Sequence, residues 1–129
     1  MGAKILYIED NFANRMLVSR VLMVEDYEVF EAEDGPTGIE LALREQPDLI
    51  LMDVNLPDID GYELTAKMRD IPELAGTPII AMTANVMQGD REKSLEAGCD
   101  GYIPKPIDVD SLPGQIADFL EKQARGELR

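Results

Sequence analysis

The chain has 129 residues, 26 acidic against 12 basic side chains, and a formal net charge of −14. The length suits one domain with its own hydrophobic core. The negative charge argues against direct binding to nucleic acid or to an anionic membrane surface. The sequence has no histidine, which excludes Ser-His-Asp triads, histidine acid–base catalysis and histidine metal ligands.

Two further features bear on location. The lone cysteine, Cys99, rules out an internal disulfide and suits a reducing compartment. No apolar run has membrane-spanning length, and no signal-peptide pattern precedes the first predicted strand. We therefore expect a cytoplasmic protein without membrane contact.

Apolar strands alternate with helical patterns along the whole chain. The predicted strands cover residues 4–8, 28–32, 49–53, 77–83 and 101–103. Helices are predicted over 13–25, 35–45, 62–69 and 87–97, with Gly98 as a C-cap. Asp108 or Asp110 is expected to cap a last helix, which carries an apolar stripe of Leu112, Ile116, Phe119 and Leu120.

This alternation predicts an α/β fold with a doubly wound, five-stranded parallel sheet and five helices. The expected strand order is the flavodoxin-like 2-1-3-4-5. We expect a single domain over residues 1–124, followed by a polar tail at 125–129.

Asp53 follows four apolar residues in the stretch DLILMDVNLPDIDG. A buried unpaired charge is costly, so this carboxylate should lie at the strand's end or have a positive partner. Ligands of such sheets bind beyond the carboxyl ends of the strands. Polar groups at the other strand ends could converge there with Asp53, namely Glu9, Asp10, Thr83 and Lys105.

The chemistry of this set favours phosphoryl transfer. Three carboxylates in one crevice repel each other and need a counter-charge. Oxygen ligands without histidine or cysteine select a hard cation such as Mg²⁺. With the Lys105 ammonium and the Thr83 hydroxyl, the set suits transfer of a phosphoryl group onto Asp53. Singly, each residue also has an ordinary interpretation, such as helix N-terminal charges for Glu9 and Asp10.

Four stretches of the sequence, ILYIEDN, PDLILMDVNLPDIDG, PIIAMTA and AGCDGYIPKPI, occur in an order and spacing that are highly specific. On these motifs the chain resembles the receiver domain of two-component response regulators over essentially its whole length. The resemblance implies that Asp53 is the phosphoacceptor. It also implies that Mg²⁺ binds the side chains of Asp10 and Asp53 and the backbone carbonyl of Asn55, with Glu9 helping through water.

The same resemblance assigns further residues. Thr83 and Lys105 are expected to contact the phosphoryl group, and Tyr102 matches the aromatic residue that changes rotamer in this family. The Lys105–Pro106 peptide bond is expected to be cis. Asn55 and Asn85 match positions that tune the lifetime of the phosphate.

The resemblance also implies partners. A histidine kinase or histidine phosphotransfer protein would donate the phosphoryl group. The surface of the fourth helix, fifth strand and fifth helix would then change and bind a downstream protein. Such a chain is a signalling module rather than an enzyme, and is a monomer or a phosphorylation-dependent dimer. Both a free-standing receiver and an excised domain of a larger protein remain open.

Other functions fit the residues less well. A phosphatase of the haloacid dehalogenase type needs a second aspartate two residues after the acceptor, where this chain has Asn55, and it needs a cap domain. In a flavodoxin-like FMN carrier the first loop binds phosphate, but Glu9 and Asp10 would repel it. Aligning Gly61 on the glycine of an EF-hand loop places Leu56 and Lys67 where acidic ligands belong.

Overall fold

The computed structural model describes residues 2–84 and 90–126, and over these ranges the chain forms five strands, five α-helices and one short 3-10 helix at Pro72–Leu74. The strands are β1 (Lys4–Ile8), β2 (Glu28–Ala32), β3 (Leu49–Asp53), β4 (Ile79–Thr83) and β5 (Gly101–Pro104). The helices are α1 (Phe12–Val24), α2 (Gly35–Glu45), α3 (Gly61–Arg69), α4 (Asp90–Ala97) and α5 (Leu112–Ala124). Among the helices of these residues, none combines the length and the apolar character needed to cross a bilayer.

All strand pairs are parallel, and the sheet has the order β2-β1-β3-β4-β5. The predicted doubly wound fold is therefore confirmed. β3 and β4 are buried along their whole length, as expected for strands covered by helices on both faces.

Side chains alternate between the two faces of the sheet, and each face has its own core. We call one the α1/α5 face, because Val18 and Leu22 of α1 and Leu112 and Ile116 of α5 pack there. Its strand residues are Ile5, Tyr7, Leu49, Leu51, Ile80, Met82 and Ile103. The other is the α2/α3 face, where helix residues such as Ala42, Leu64 and Met68 pack on Leu6, Ile8, Ile50, Met52, Ile79 and Ala81.

Three helices begin at capping side chains near the carboxyl ends of the preceding strands. Asn11 accepts from the amide of Asn14 at 2.9 Å at the start of α1. Asp34 accepts from the amide of Thr37 at 2.9 Å, and Asp60 from the amide of Tyr62 at 2.7 Å. These caps satisfy helix amides that would otherwise lack partners, and they fix the loops at one edge of the sheet.

The cap predicted for α5 is wrong. The N-cap residue is Ser111, and it makes no side-chain capping bond. The carboxylate of Asp108 instead accepts from the amide of Asp110 at 3.0 Å and from the Ser111 hydroxyl at 2.8 Å, so it closes the turn before the helix.

The bounds of two further elements differ from the prediction or cannot be compared with it. β4 begins at Ile79, two residues later than predicted, and residues 87–89 of the predicted fourth helix lie outside the described residues.

α3 begins tightly against the end of β3. The amide of Gly61 donates to the Val54 carbonyl at 3.0 Å, and Asn55 and Asp60 form an antiparallel bridge. A Cβ atom on Gly61 would lie 2.6 Å from both the Asp53 carbonyl oxygen and the Val54 Cα. Glycine is therefore needed here, because the neighbouring atoms belong to the backbone and cannot move aside cheaply.

The substitution Gly61→Ala tests this contact. We expect the free energy of unfolding to fall by about 1–3 kcal/mol, as overpacking against fixed atoms usually costs. Gly114→Ala is the matched control, since its Cβ would meet nothing within 4 Å and it lies in α5. That variant should gain about 0.5–1 kcal/mol from helix propensity. Urea denaturation of both variants measures the difference, and wild-type stability of Gly61→Ala would contradict the close approach.

Candidate functional site

Three carboxylates meet at the carboxyl ends of β1 and β3. Glu9 and Asp10 directly follow β1, and Asp53 is the last residue of β3. Because Ile8 pairs with Met52, Glu9 and Asp53 come next in register and lie side by side. One carboxylate oxygen from each of the three residues lies within 4.8 Å of the others. Glu9 and Asp53 are only 1% and 2% exposed, whereas Asp10 is exposed.

Lys105 supplies a positive charge to this cluster. Its Nζ donates to Oδ1 of Asp53 at 2.9 Å and to Oε1 of Glu9 at 3.4 Å. The backbone amide of Lys105 donates to the Thr83 carbonyl at 2.8 Å, which ties the residue to the end of β4. The following Lys105–Pro106 peptide bond is cis. Lys105 is thus the partner of Asp53 that the buried carboxylate requires.

Asn55 contributes a second donor to Asp53. Its backbone amide donates to the same Oδ1 atom at 3.1 Å, while its side chain is exposed. Oδ1 of Asp53 is therefore held from two sides, by Lys105 and by Asn55. The predicted role of the Asn55 carbonyl as a metal ligand stays a prediction.

Thr83 and Tyr102 lie on the other face of the sheet. Thr83 follows Met82, a residue of the α1/α5 face, so its buried side chain faces the α2/α3 side. Tyr102 pairs with Ala81 and packs, half-buried, against the α2/α3 core. The carboxylates and Lys105 thus meet at one edge of the sheet. Thr83 and Tyr102 lie on its α2/α3 face. Asn85 lies outside the described residues.

Burial, hydrogen bonds and charge shift the pKa values of Glu9 and Asp53 in opposite directions. Burial, together with the hydrogen bond and charge of Asp53, raises the pKa of Glu9 to about 7, against the opposing effect of Lys105. Burial also acts to raise the pKa of Asp53, but the hydrogen bonds of Glu9, Lys105 and the Asn55 amide outweigh it and lower the pKa. Of these two buried carboxylates, Asp53 is therefore the one whose ionised form is favoured.

Lys105 keeps its proton for the same reason. Burial acts to lower the pKa of its ammonium group. The hydrogen bond and charge of Asp53, followed by those of Glu9, more than compensate and raise the pKa. The crevice thus contains an ionised carboxylate and an ammonium group in direct contact.

The structure adds three donors to Glu9 that sequence reasoning did not identify. The Tyr7 hydroxyl donates to Oε1 of Glu9 at 3.2 Å, and Nδ2 of Asn14 donates to the same oxygen at 3.3 Å. The amide of Asn11 approaches Oε2 at 3.4 Å. Tyr7 lies in β1, two positions before Glu9, a spacing that could have indicated this contact.

Arg15 is a further residue that sequence reasoning missed. Its Nη1 donates to the carbonyls of Glu9 at 2.9 Å and Asp10 at 3.2 Å. The same guanidinium pairs with Glu31 at 3.3 Å and Glu33 at 3.8 Å, at the end of β2. Arg15 thereby fixes the backbone that carries two of the three carboxylates. The signal available was a basic residue in the first turns of the helix that follows Glu9 and Asp10.

The donor set fits a magnesium ion. The described residues of the cluster offer carboxylate oxygens only, which are the ligands that hard divalent cations prefer. The Lys105 ammonium group pairs with Glu9 and Asp53, two of the three carboxylates, so a further cation would relieve the remaining repulsion. The acidic cluster can therefore hold a metal ion.

Sequence comparisons identify relatives of the whole domain. The model of the response regulator receiver domain matches residues 5–117. The polar-differentiation response regulator DivK of Brucella anthropi is 38% identical over 120 residues, which cover 93% of this chain and 98% of DivK.

Solved structures agree with this match. A CheY-like response regulator receiver domain protein from Methanospirillum hungatei has a TM-score of 0.88 at 30% identity, covering 98% of this chain and 99% of its own. The receiver domain of a sensor histidine kinase from Pseudomonas aeruginosa has a TM-score of 0.85 at 37% identity, covering 94% and 99%. That structure has a magnesium ion coordinated in its active site cleft. Since sequence and fold agree over nearly the whole length, the chain belongs to the receiver domain family of two-component response regulators.

Proposed function

We propose that Asp53 is the phosphoacceptor of this receiver and takes a phosphoryl group from a phosphohistidine. The observation that carries the proposal is the state of its carboxylate. Asp53 is buried, has a lowered pKa, and is held through Oδ1 by Lys105 and Asn55. A fixed, ionised carboxylate is the form that attacks phosphorus.

The residues proposed to hold Mg²⁺ are Asp10 and Asp53 through their side chains, Asn55 through its carbonyl and Glu9 through water. The oxygen-only acidic cluster and the magnesium ion in the related Pseudomonas structure support this. When bound, the ion neutralises charge that builds up on the transferring phosphoryl group.

The chain's own residues carry out the transfer. A carboxylate oxygen of Asp53 forms a bond to phosphorus, and the bond from phosphorus to the donor histidine nitrogen breaks. Lys105 Nζ lies 2.9 Å from Oδ1 of the attacking Asp53 carboxylate, so its ammonium group is placed to pair with the oxygens of the new acyl phosphate. The protein assists its own phosphorylation and dephosphorylation, and acts as a signalling module.

The signal is proposed to pass through the sheet edge to the other face. The new phosphoryl charge attracts the Thr83 hydroxyl, and Tyr102 follows on the same face. Thr83 is also linked to the site through its carbonyl, which accepts from the Lys105 amide. Such a local charge biases two conformations of α4, β5 and α5 and thereby selects a downstream protein partner.

The outward surface of α1 is suited to the phosphodonor. The first half of this helix exposes Phe12 by 63%, Met16 by 38% and Leu17 by 45%. Leu17 and Asn14 also line a cleft of about 280 Å³ with Lys105, Pro106 and Ile107, at the entrance to the carboxylates. Apolar surface beside a reactive group favours docking of another protein. A histidine kinase or histidine phosphotransfer protein is the partner we propose there.

Asp53→Asn tests the acceptor. With Mg²⁺ and beryllofluoride, wild type should show NMR shifts in β5 and α5, while Asp53→Asn should show none because the amide cannot bind beryllium. Asp58→Asn is the matched control, an exposed aspartate of the same loop, and it should respond like wild type. Equal responses of Asp53→Asn and wild type would disprove the assignment.

Leu17→Glu tests the docking surface. Transfer from a phosphorylated histidine phosphotransfer protein that serves the wild type should slow by about tenfold, as loss of one interface contact typically costs 1–2 kcal/mol. Phosphorylation by acetyl phosphate should keep its wild-type rate. Val24→Glu is the control, since Val24 is exposed at the far end of α1. An unchanged transfer rate in Leu17→Glu, or a matching loss with acetyl phosphate, would contradict docking on α1.

A further inference from the structure

Tyr7 is a buried residue with a polar tip directed at the functional site. It is 0% exposed, and its ring lies in the α1/α5 core among apolar side chains. Its hydroxyl donates to Oε1 of Glu9 at 3.2 Å. A buried hydroxyl without a partner is costly, so this contact stabilises both the hydroxyl and the buried carboxylate.

The register of the sheet explains why the two groups meet. Tyr7 lies in β1 and Glu9 directly follows that strand, two positions later, so the two side chains face the same side. Tyr7 pairs with Leu51, which in turn precedes Asp53 by two positions. Tyr7 is therefore the neighbour of Glu9 on the same face of the sheet, as Leu51 is the neighbour of Asp53. The neighbour of Glu9 is a hydrogen-bond donor, whereas the neighbour of Asp53 is an apolar side chain.

Glu9 and Asp53 share Lys105, so the other donors to Glu9 affect both carboxylates. Oε1 of Glu9 accepts from Tyr7 at 3.2 Å, from Asn14 at 3.3 Å and from Lys105 at 3.4 Å. Lys105 lies closer to Asp53, at 2.9 Å. Without the Tyr7 hydroxyl, the buried Glu9 carboxylate would depend more heavily on Lys105 and draw the ammonium group away from Asp53.

We propose that Tyr7 is a positioning residue, whose hydroxyl fixes the Glu9 carboxylate toward the cation site and leaves Lys105 to Asp53. This inference rests on the proposed function of the site. It assigns no contact between Tyr7 and substrate, because the hydroxyl acts through Glu9. Loss of a residue that hydrogen-bonds to a metal-binding group and orients it typically lowers metal affinity by about 10–100-fold.

Tyr7→Phe tests the inference, because it removes only the hydroxyl and keeps the ring in the core. Mg²⁺ affinity of the unphosphorylated protein, measured by calorimetric titration, should fall by about tenfold. Tyr27→Phe is the matched control, a partly buried tyrosine of the same core that is not among the donors to Glu9. It should bind Mg²⁺ like wild type. Unchanged affinity in Tyr7→Phe would overturn the proposal.

A double-mutant cycle separates positioning from general loss of structure. In a Glu9→Ala background, Tyr7→Phe should no longer change Mg²⁺ affinity, because the group through which Tyr7 acts is gone. An equal loss in both backgrounds would overturn the proposal.

In wild type labelled with ¹³C at the tyrosine Cζ, the Tyr7 resonance should shift with the midpoint of Mg²⁺ binding. A Tyr7 chemical shift that stays unchanged at saturating Mg²⁺ would overturn the inference, and this measurement does not depend on the folding of any variant.

The measurements distinguish failure of the proposed function from failure of the proposed role of Tyr7. If wild type binds Mg²⁺ and Asp53 is phosphorylated, but Tyr7→Phe binds Mg²⁺ equally well, only the role of Tyr7 is wrong. If wild type itself binds no Mg²⁺, the proposed function and the role of Tyr7 are both overturned.

Discussion

Repulsion among Glu9, Asp10 and Asp53 is the constraint on which the rest of this structure depends. Their carboxylate oxygens come within 4.8 Å of one another, and two of the three groups are buried. Like charges at this distance in a poorly solvated crevice strongly disfavour full ionisation. Lys105 offsets part of the repulsion, and burial and Asp53 raise the pKa of Glu9. The remaining excess of negative charge favours binding of a cation at this cluster.

The fold maintains this unfavourable arrangement by fixing the backbone around it. Parallel strands bring their carboxyl ends to one edge, and β1 and β3 are neighbours there. Arg15 holds the carbonyls of Glu9 and Asp10, and Gly61 lets α3 begin against the end of β3. Stability contributed by these contacts and by the two cores allows the carboxylates to stay close.

Sequence reasoning predicted the sheet, its order and the convergence of Glu9, Asp10, Asp53, Thr83 and Lys105. The structure brings the three carboxylates and Lys105 together, while the side chain of Thr83 faces the α2/α3 side. It succeeded because β3 and β4 are continuous apolar runs, and because parallel strands bring their carboxyl ends to one edge. It failed at α5, where a carboxylate before a helix can close the preceding turn as readily as it can cap. Tyr7 and Arg15 were missed. Tyr7 lies in a mostly apolar strand, which indicates a core residue, and Arg15 donates to backbone carbonyls, which no side-chain pattern indicates.

We propose that Asp53, rather than a neighbouring carboxylate, receives the phosphoryl group. Borohydride reduces an acyl phosphate to an alcohol, so it marks a phosphorylated aspartate permanently as homoserine. Wild-type protein treated with acetyl phosphate and Mg²⁺, reduced with borohydride and analysed by peptide mass spectrometry should have homoserine at position 53. Reduction at Glu9 or Asp10, or no reduced residue in protein shown to be phosphorylated, would contradict the claim.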